Sequence, residues 1–210
     1  MVFLVISEFT AYWKVQKSTE MIIDVNRGGD LLKINIDIEL PKMPCSILSL
    51  DVQDIMGSHD VNVNLNLFKH RISRNGKDIG KEIFGSSVTV QPQDDDMSNY
   101  EAIKKEILDH EGCHIYGDVF LKKVPGNFHI SSHAFGHIVS RLAQEGHFVW
   151  DVSHKINHFN VGEISDIDTI KKKFEGGILS PLDGSSKIDN EKKVYEYYLK
   201  VTTFIIKKIN

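Results

Sequence analysis

The chain has 210 residues, enough for one large domain or two small ones. Its composition of 41% hydrophobic, 9% aromatic and 26% charged residues is that of a globular protein, which excludes disordered, collagenous and coiled-coil classes. Because 25 basic residues face 29 acidic ones, the formal net charge is −4. No long basic block exists to contact phosphates, so we expect no nucleic-acid partner.

The chain starts with an apolar run, Met1 to Ile6, that is far shorter than the ~20 residues of a membrane-spanning helix. It lacks the charged start and the cleavage site of a signal peptide. Two interpretations stay open. Residues 1–13 are either a buried first strand or the trimmed end of a membrane helix with its exit from the bilayer, where aromatic residues are enriched. We expect residues 14–210 to form a single domain.

Strand patterns dominate the rest of the chain. Leu32 to Leu40 alternates strictly between apolar and polar residues, as a half-buried strand does. Val61 to Leu67 alternates in the same way, and we predict that these two runs are neighbouring or facing strands, with Ile34, Ile36 and Ile38 inside. Further strands are predicted at 21–25, 47–52, 68–72, 114–124, 128–132, 148–152, 156–161 and 193–208.

Helical patterns are fewer. Residues 91–98 form a polar, acidic connector between two halves of the domain, which we expect to be exposed and mobile. A capping box at Ser98 and Glu101 begins a helix that reaches Leu108, and a second short helix is predicted at 166–174. These patterns predict a mainly β protein: a two-sheet antiparallel β-sandwich with one or two short inserted helices.

Five of the ten histidines lie in the second half of the chain in two sets with spacings of four: His129, His133 and His137, and then His154 and His158. On a helix, HxxxH brings two imidazoles near one zinc ion. Residues 128–132 have strand character, however, and residues four apart in a strand lie more than about 10 Å apart, so we predict no metal site. Scattered histidines without a common role are the plain interpretation. A pH sensor is the alternative, because histidine changes charge between about pH 5 and 8.

Motifs for catalysis are missing from the sequence. It contains no GxSxG elbow, Walker sequence, dinucleotide fingerprint or CxxC pair. We therefore predict neither an enzyme nor a cofactor. The two cysteines, Cys45 and Cys113, can form one disulfide or remain thiols, and their spacing does not decide between these states.

Several segments carry a resemblance when they are taken together in chain order: LKINID at 32–37, LPKMPC at 40–45, LDVQDIMG at 50–57, EGCHIYG at 111–117, KVPGNFHI at 123–130, HFNVGE at 158–163 and PLDG at 181–184. The ordered set resembles the ERGIC family of vesicle cargo receptors, which cycle between the endoplasmic reticulum and the Golgi. It also resembles the receptor-like halves of fused plant and protist disulfide isomerases, without their thioredoxin module.

The resemblance implies a lumenal domain flanked by two membrane helices, in the membranes of the endoplasmic reticulum, the intermediate compartment and the Golgi. It implies lumenal cargo proteins as partners, a hetero-oligomer with a related subunit, and COPII and COPI coats that bind tails absent from this chain. The alternatives are a structural subunit or a non-catalytic remnant of an isomerase fusion.

Two expectations about residues follow from a lumenal location. Cys45 and Cys113 should pair, because the lumen is oxidising. The five histidines become candidates for pH-dependent cargo binding. The chain departs from the family in lacking a cysteine-rich stretch between its halves, which puts thiol–disulfide activity in doubt. Asp151 stands where the family has a glycosylated asparagine.

Overall fold

The computed structural model describes residues 1–14, 31–54, 65–84, 97–163, 170, 179–189 and 193–201. Met1–Asp30 and Leu31–Asn210 form two separate compact units. In the first unit, helix α1 (Val2–Trp13) is exposed along its whole length. The interpretation of this segment as a buried first strand is therefore wrong. The run contains no Gly or Pro that would interrupt the backbone hydrogen bonds of a helix. Within the described part of the chain, no helix has the length and apolar character needed to cross a membrane.

The second unit is built mainly from antiparallel strands. The described residues of this unit contain eight strands: β1 (Leu31–Leu40), β2 (Ser49–Asp54), β3 (Leu65–Ile72), β4 (Asp78–Phe84), β5 (Gly112–Lys122), β6 (Gly126–Ser131), β7 (His154–Val161) and β8 (Ser186–Lys187). Six strands form one sheet in the order β4-β3-β5-β1-β7-β8, and β2 pairs with β6 in a second sheet. Every pairing is antiparallel, which confirms the predicted fold class.

In strand β1, Ile34, Ile36 and Ile38 are buried as predicted. Asn35, which the alternation places outside, is buried as well, and its amide donates to the carbonyl oxygen of Gly162 at 2.9 Å. The predicted adjacency of β1 to the second alternating run is wrong. Strand β3 contains the described part of that run, and β5 lies between β3 and β1, hydrogen-bonded to both. Alternation identifies the buried face of a strand but carries no information about which strand lies beside it.

The two sheets share one hydrophobic core. Phe128 of β6 stacks on Phe159 of β7, with ring centroids 6.2 Å apart and planes inclined by 10°. Two helices complete the core: α2 (Met97–Leu108), which was predicted, and α3 (Gly136–Gln144), which was not. They contribute Tyr100, Ile103, Ile107, Val139 and Leu142.

Two predicted strands are wrong. Residues 148–152 are irregular, because the Asp151 carboxylate binds the backbone N–H of Ser153 at 3.0 Å and closes a local turn instead of a ladder. Of the strand or hairpin limb predicted at 193–208, residues 193–201 form no strand, and Val194 and Tyr198 are exposed. Of the connector predicted at 91–98, residues 97–98 are the first turn of α2. The rest of both segments, the predicted strand at 21–25 and nearly all of the predicted helix at 166–174 lie outside the described residues.

Candidate functional site

Cys45 and Cys113 form a disulfide with Cα atoms 4.8 Å apart, and both residues are fully buried. The bond ties the 3₁₀ turn Cys45–Ile47, just before β2, to the start of β5. Beside it the ammonium of Lys69 donates to the carbonyl oxygens of Cys45 at 3.0 Å and Leu48 at 3.1 Å. The structure thus has the pairing expected of an oxidising compartment, and it anchors the smaller sheet to the larger one.

A group of aromatic and ionisable side chains lies on the outer face of the larger sheet, opposite the core. We call it the sheet-face cluster, and its members are Asp37, Glu39, Phe68, His70, His114, Tyr116 and Asn157. The cluster forms because β3 and β5 pair with Phe68 opposite Tyr116 and His70 opposite His114. Ring centroids lie 5.7 Å apart for Phe68 and Tyr116 and 5.3 Å apart for His70 and Tyr116.

Hydrogen bonds fix the ionisable half of this cluster. His114 donates through Nε2 to Asp37 Oδ1 at 2.7 Å. Asn157 donates to the same oxygen at 2.9 Å and to Glu39 Oε1 at 2.6 Å. A register shift between β1 and β7 after Asp37 accommodates Asn157 on this face.

His70 connects the aromatic side chains of the sheet-face cluster with its ionisable side chains. Its Nε2 lies 3.3 Å from the Tyr116 hydroxyl, and its Nδ1 lies 3.4 Å from Asp78 Oδ2. The side chains of His70, His114 and Asp37 keep 22%, 25% and 35% of their surface exposed. The cluster therefore offers aromatic surface and hydrogen-bonding groups that a partner can reach, held in place by strands rather than loops.

The sequence analysis did not single out His70 or His114. Alternation in β5 does put His114 and Tyr116 on one face, and alternation in β3 does the same for Phe68 and His70. That signal was available. The pairing that sets the two strands in register is a property of the folded sheet, so the cluster itself was not visible in the sequence.

The five histidines that were predicted do not share one surface. His129 and His133 come together, with ring centroids 5.5 Å apart, beside Asp51. The expectation that they lie more than about 10 Å apart is wrong, because β6 ends at Ser131 and a 3₁₀ turn brings His133 back. His137 is exposed on α3.

His154 and His158 lie on β7 in the larger sheet. His154 is buried, donating through Nδ1 to the carbonyl oxygen of Val152 at 2.9 Å, with Nε2 2.7 Å from the Tyr197 hydroxyl. Burial raises the pKa of Tyr197, and the nearby Tyr195 adds to the effect. His158 is half-exposed and faces Asp183 Oδ2 at 2.8 Å. His154 is therefore part of the packing of the C-terminal segment, whereas His158 is accessible to solvent.

Two family models match this chain. The model described as "Endoplasmic Reticulum-Golgi Intermediate Compartment (ERGIC)" matches residues 1–61, and the model described as "Endoplasmic reticulum vesicle transporter" matches residues 85–210. The second match covers more than half of the chain. The chain belongs to the endoplasmic reticulum vesicle transporter family. This family consists of membrane transport proteins of the endoplasmic reticulum, the intermediate compartment and the Golgi, not of enzymes.

Several individual proteins are similar to this chain. The chain is 27% identical over 265 residues to the probable endoplasmic reticulum-Golgi intermediate compartment protein 3 of Dictyostelium discoideum, covering 99% of this chain and 66% of that protein. It is 34% identical over 98 residues to the protein disulfide isomerase-like 5-4 of rice, Oryza sativa, covering 46% of this chain and 20% of that protein. The crystal structure of Erv41p is similar at 20% identity with a TM-score of 0.46, over 80% of this chain and 69% of that one. The chain thus spans less than two thirds of the Dictyostelium relative's length.

Proposed function

We propose that this chain is the lumenal cargo-binding region of a vesicle receptor that cycles between the endoplasmic reticulum and the Golgi. Family membership supports the transport role. The sheet-face cluster is the observation that supports cargo binding. It combines two aromatic rings with a hydrogen-bonded network of histidine, carboxylate and amide groups on a half-exposed face. Protein–protein interfaces commonly have aromatic residues at their centre and polar residues at their rim.

The rest of the proposed assembly comes from the family resemblance. A related family subunit would complete a hetero-oligomer, and COPII and COPI coats would select the receptor through tails outside this chain. Neither cysteine of this chain is available for thiol exchange, because both are in the buried disulfide. An active isomerase needs an accessible, low-pKa thiol, so the isomerase-fusion alternative remains that of a non-catalytic remnant.

The cargo-binding part can be tested in transport vesicles. We compare vesicles from cells that carry the native protein with vesicles from cells that carry the double variant Phe68→Ser, Tyr116→Ser. The matched control is His137→Gln, which changes an exposed residue on α3. The proposal expects the double variant to enter vesicles normally while particular lumenal proteins are depleted. A normal lumenal content with loss of the related subunit would instead support the structural-subunit alternative.

Acidity provides a second test of the same site. The carboxylates of Asp37, Glu39 and Asp78 lie beside His70 and His114, with Tyr116 and Asn157 as uncharged neighbours. Lys155 is paired with Glu39 in the β1–β7 ladder. Any proton that the two histidines take up on acidification makes this surface less negative. Repulsion of an acidic cargo segment then falls, so binding strengthens in the more acidic Golgi. His158, beside Asp183, is a further member of this response, and it was among the predicted sensors.

The measurement is cargo affinity at pH 6 and at pH 7.4 for the native chain and for His70→Gln, His114→Gln. We expect tighter binding at pH 6 and a smaller difference in the double variant. His137→Gln should leave the difference unchanged. Equal affinity at the two pH values would contradict the proposed pH dependence. The proposed cargo binding would still be tested by the vesicle experiment.

A further inference from the structure

We propose that Asp51, His129 and His133 form a zinc-binding site on the smaller sheet, separate from the sheet-face cluster and independent of the proposed cargo site. One ligand atom from each residue lies within 4.8 Å of the other two. His129 Nε2 lies 3.5 Å and His133 Nδ1 lies 3.9 Å from the same carboxylate oxygen, Asp51 Oδ2.

These distances suit a first coordination shell. Zinc binds imidazole nitrogen and carboxylate oxygen at about 2.0–2.2 Å, which puts neighbouring ligands of a tetrahedral ion about 3.4 Å apart. The His129–Asp51 distance already has that value, and the His133–Asp51 distance exceeds it by about half an ångström. The His133 side chain is 80% exposed, so it can rotate inward without disturbing the core.

The fold brings the three ligands close together. Asp51 and His129 are directly opposite each other in the β2–β6 ladder, so their side chains share a face. Strand β6 ends at Ser131, and the 3₁₀ turn that follows brings His133 to that face. Two sequence-distant elements therefore converge on one point at the end of the smaller sheet.

The carboxylate is also oriented by neighbours that are not ligands. Ser131 donates to Asp51 Oδ2 at 2.8 Å, and Ser49 donates to the same oxygen at 3.3 Å. Hydrogen bonds of this kind fix the direction of a ligating carboxylate in metal sites.

The ligand set identifies the metal. Two imidazoles and one carboxylate favour zinc over magnesium or calcium, which prefer oxygen ligands alone. Three protein ligands leave the fourth position open for water or for a side chain of a bound protein. Cys45 and Cys113 do not compete for the ion, because their sulfur atoms are bonded to each other.

Isothermal titration of the purified, disulfide-bonded chain with zinc chloride tests the proposal. We expect one tightly bound zinc ion per chain, with the zinc affinity reduced more than tenfold in His129→Gln and in His133→Gln. Ser131→Ala should weaken binding by about tenfold, as loss of an outer-shell partner does. His137→Gln is the matched control, because His137 is an exposed histidine just beyond the site, and it should bind zinc as the native chain does.

Two measurements make the result decisive. Circular dichroism establishes that each variant is folded, which the exposure of these side chains favours. Imidazole nitrogen shifts in NMR spectra should move on zinc addition for His129 and His133 and not for His137. The proposal is overturned if the native chain binds no zinc, or if binding persists unchanged in both His129→Gln and His133→Gln.

Discussion

Arg71 donates to Glu111 through both ends of its guanidinium, from Nε to Oε2 and from Nη2 to Oε1, each at 2.8 Å. The same guanidinium lies 3.4 Å from a carboxylate oxygen of Glu106 on α2. Glu111 immediately precedes β5, and Arg71 pairs with Cys113 in the β3–β5 ladder. One side chain of β3 therefore holds the end of α2, the start of β5 and the disulfide in a fixed relation.

The first prediction concerns this guanidinium. Arg71→Lys keeps the charge but cannot make two parallel hydrogen bonds, so the nearly buried Glu111 loses one partner. We expect the free energy of unfolding to fall by about 2 kcal/mol, the usual cost of an unsatisfied buried charged group. Urea denaturation measures it. Arg74→Lys is the control, since Arg74 lies in the exposed turn between β3 and β4, and it should change stability little. Equal stability of both variants would show that the paired geometry contributes nothing.

The second prediction concerns the disulfide. It closes a span of 68 positions, for which the chain-entropy treatment gives roughly 4 kcal/mol of stability. The double variant Cys45→Ala, Cys113→Ala should unfold at a correspondingly lower urea concentration. A reducing agent should lower the midpoint of the native chain and leave that of the double variant unchanged. Detection of two free thiols in the unreduced native chain would contradict the pairing.

The third prediction concerns the close approach of β3 and β5. Gly117 has φ +134°, and a Cβ atom there would lie 2.1 Å from the backbone oxygen of Asn66. Gly117→Ala must push the two strands apart as well as strain the backbone, so we expect a loss of about 3 kcal/mol or more. Gly80→Ala is the control, because a Cβ atom at Gly80 in β4 would meet nothing within 4 Å. Comparable stability of the two variants in thermal unfolding would disprove the crowding at Gly117.

The sequence predicted the fold class because two-residue alternation survives wherever one face of a strand is buried. Strand β1 illustrates this, since Ile34, Ile36, Ile38 and Leu40 are all buried. Helix α3 escaped prediction because only Val139 and Leu142 are buried in its nine residues. The sequence likewise did not reveal that the side chains of Lys69 and Arg71 point inward. Their charges are satisfied by carbonyl oxygens and carboxylates from distant segments, which no local pattern reveals.

The candidate sites were less accessible to prediction than the fold. Spacing alone suggested that His129 and His133 could share a metal, and strand geometry then argued against it. The decisive feature was where β6 ends, and strand ends are the least certain part of a sequence-based assignment. The sheet-face cluster required the register of β3 with β5, which contacts far apart in the chain determine.

The last prediction concerns the junction of α2 with α3. The guanidinium of Arg141 lies 4.4 Å from the ring centre of Tyr100, and Lys104 on α2 pairs with Glu145, just after α3, at 3.2 Å. The Tyr100 hydroxyl and the Lys104 ammonium lower the pKa of Glu145 to about 2, against a smaller opposing effect of burial. A carboxylate with a lowered pKa stabilises the folded state above its unfolded pKa, and this stabilisation is lost as the pH falls toward the folded value.

The stability that Glu145 contributes should therefore be complete above about pH 4.5 and should disappear as the pH falls from there toward about 2. We compare the native chain with Glu145→Gln by urea denaturation across this range. The difference in unfolding free energy should be constant near neutral pH and should shrink on acidification. Glu101→Gln, which changes an exposed carboxylate on α2, is the control and should show no such trend. A difference that stays constant down to pH 2, or grows, would show that Glu145 is not held as a carboxylate by its neighbours.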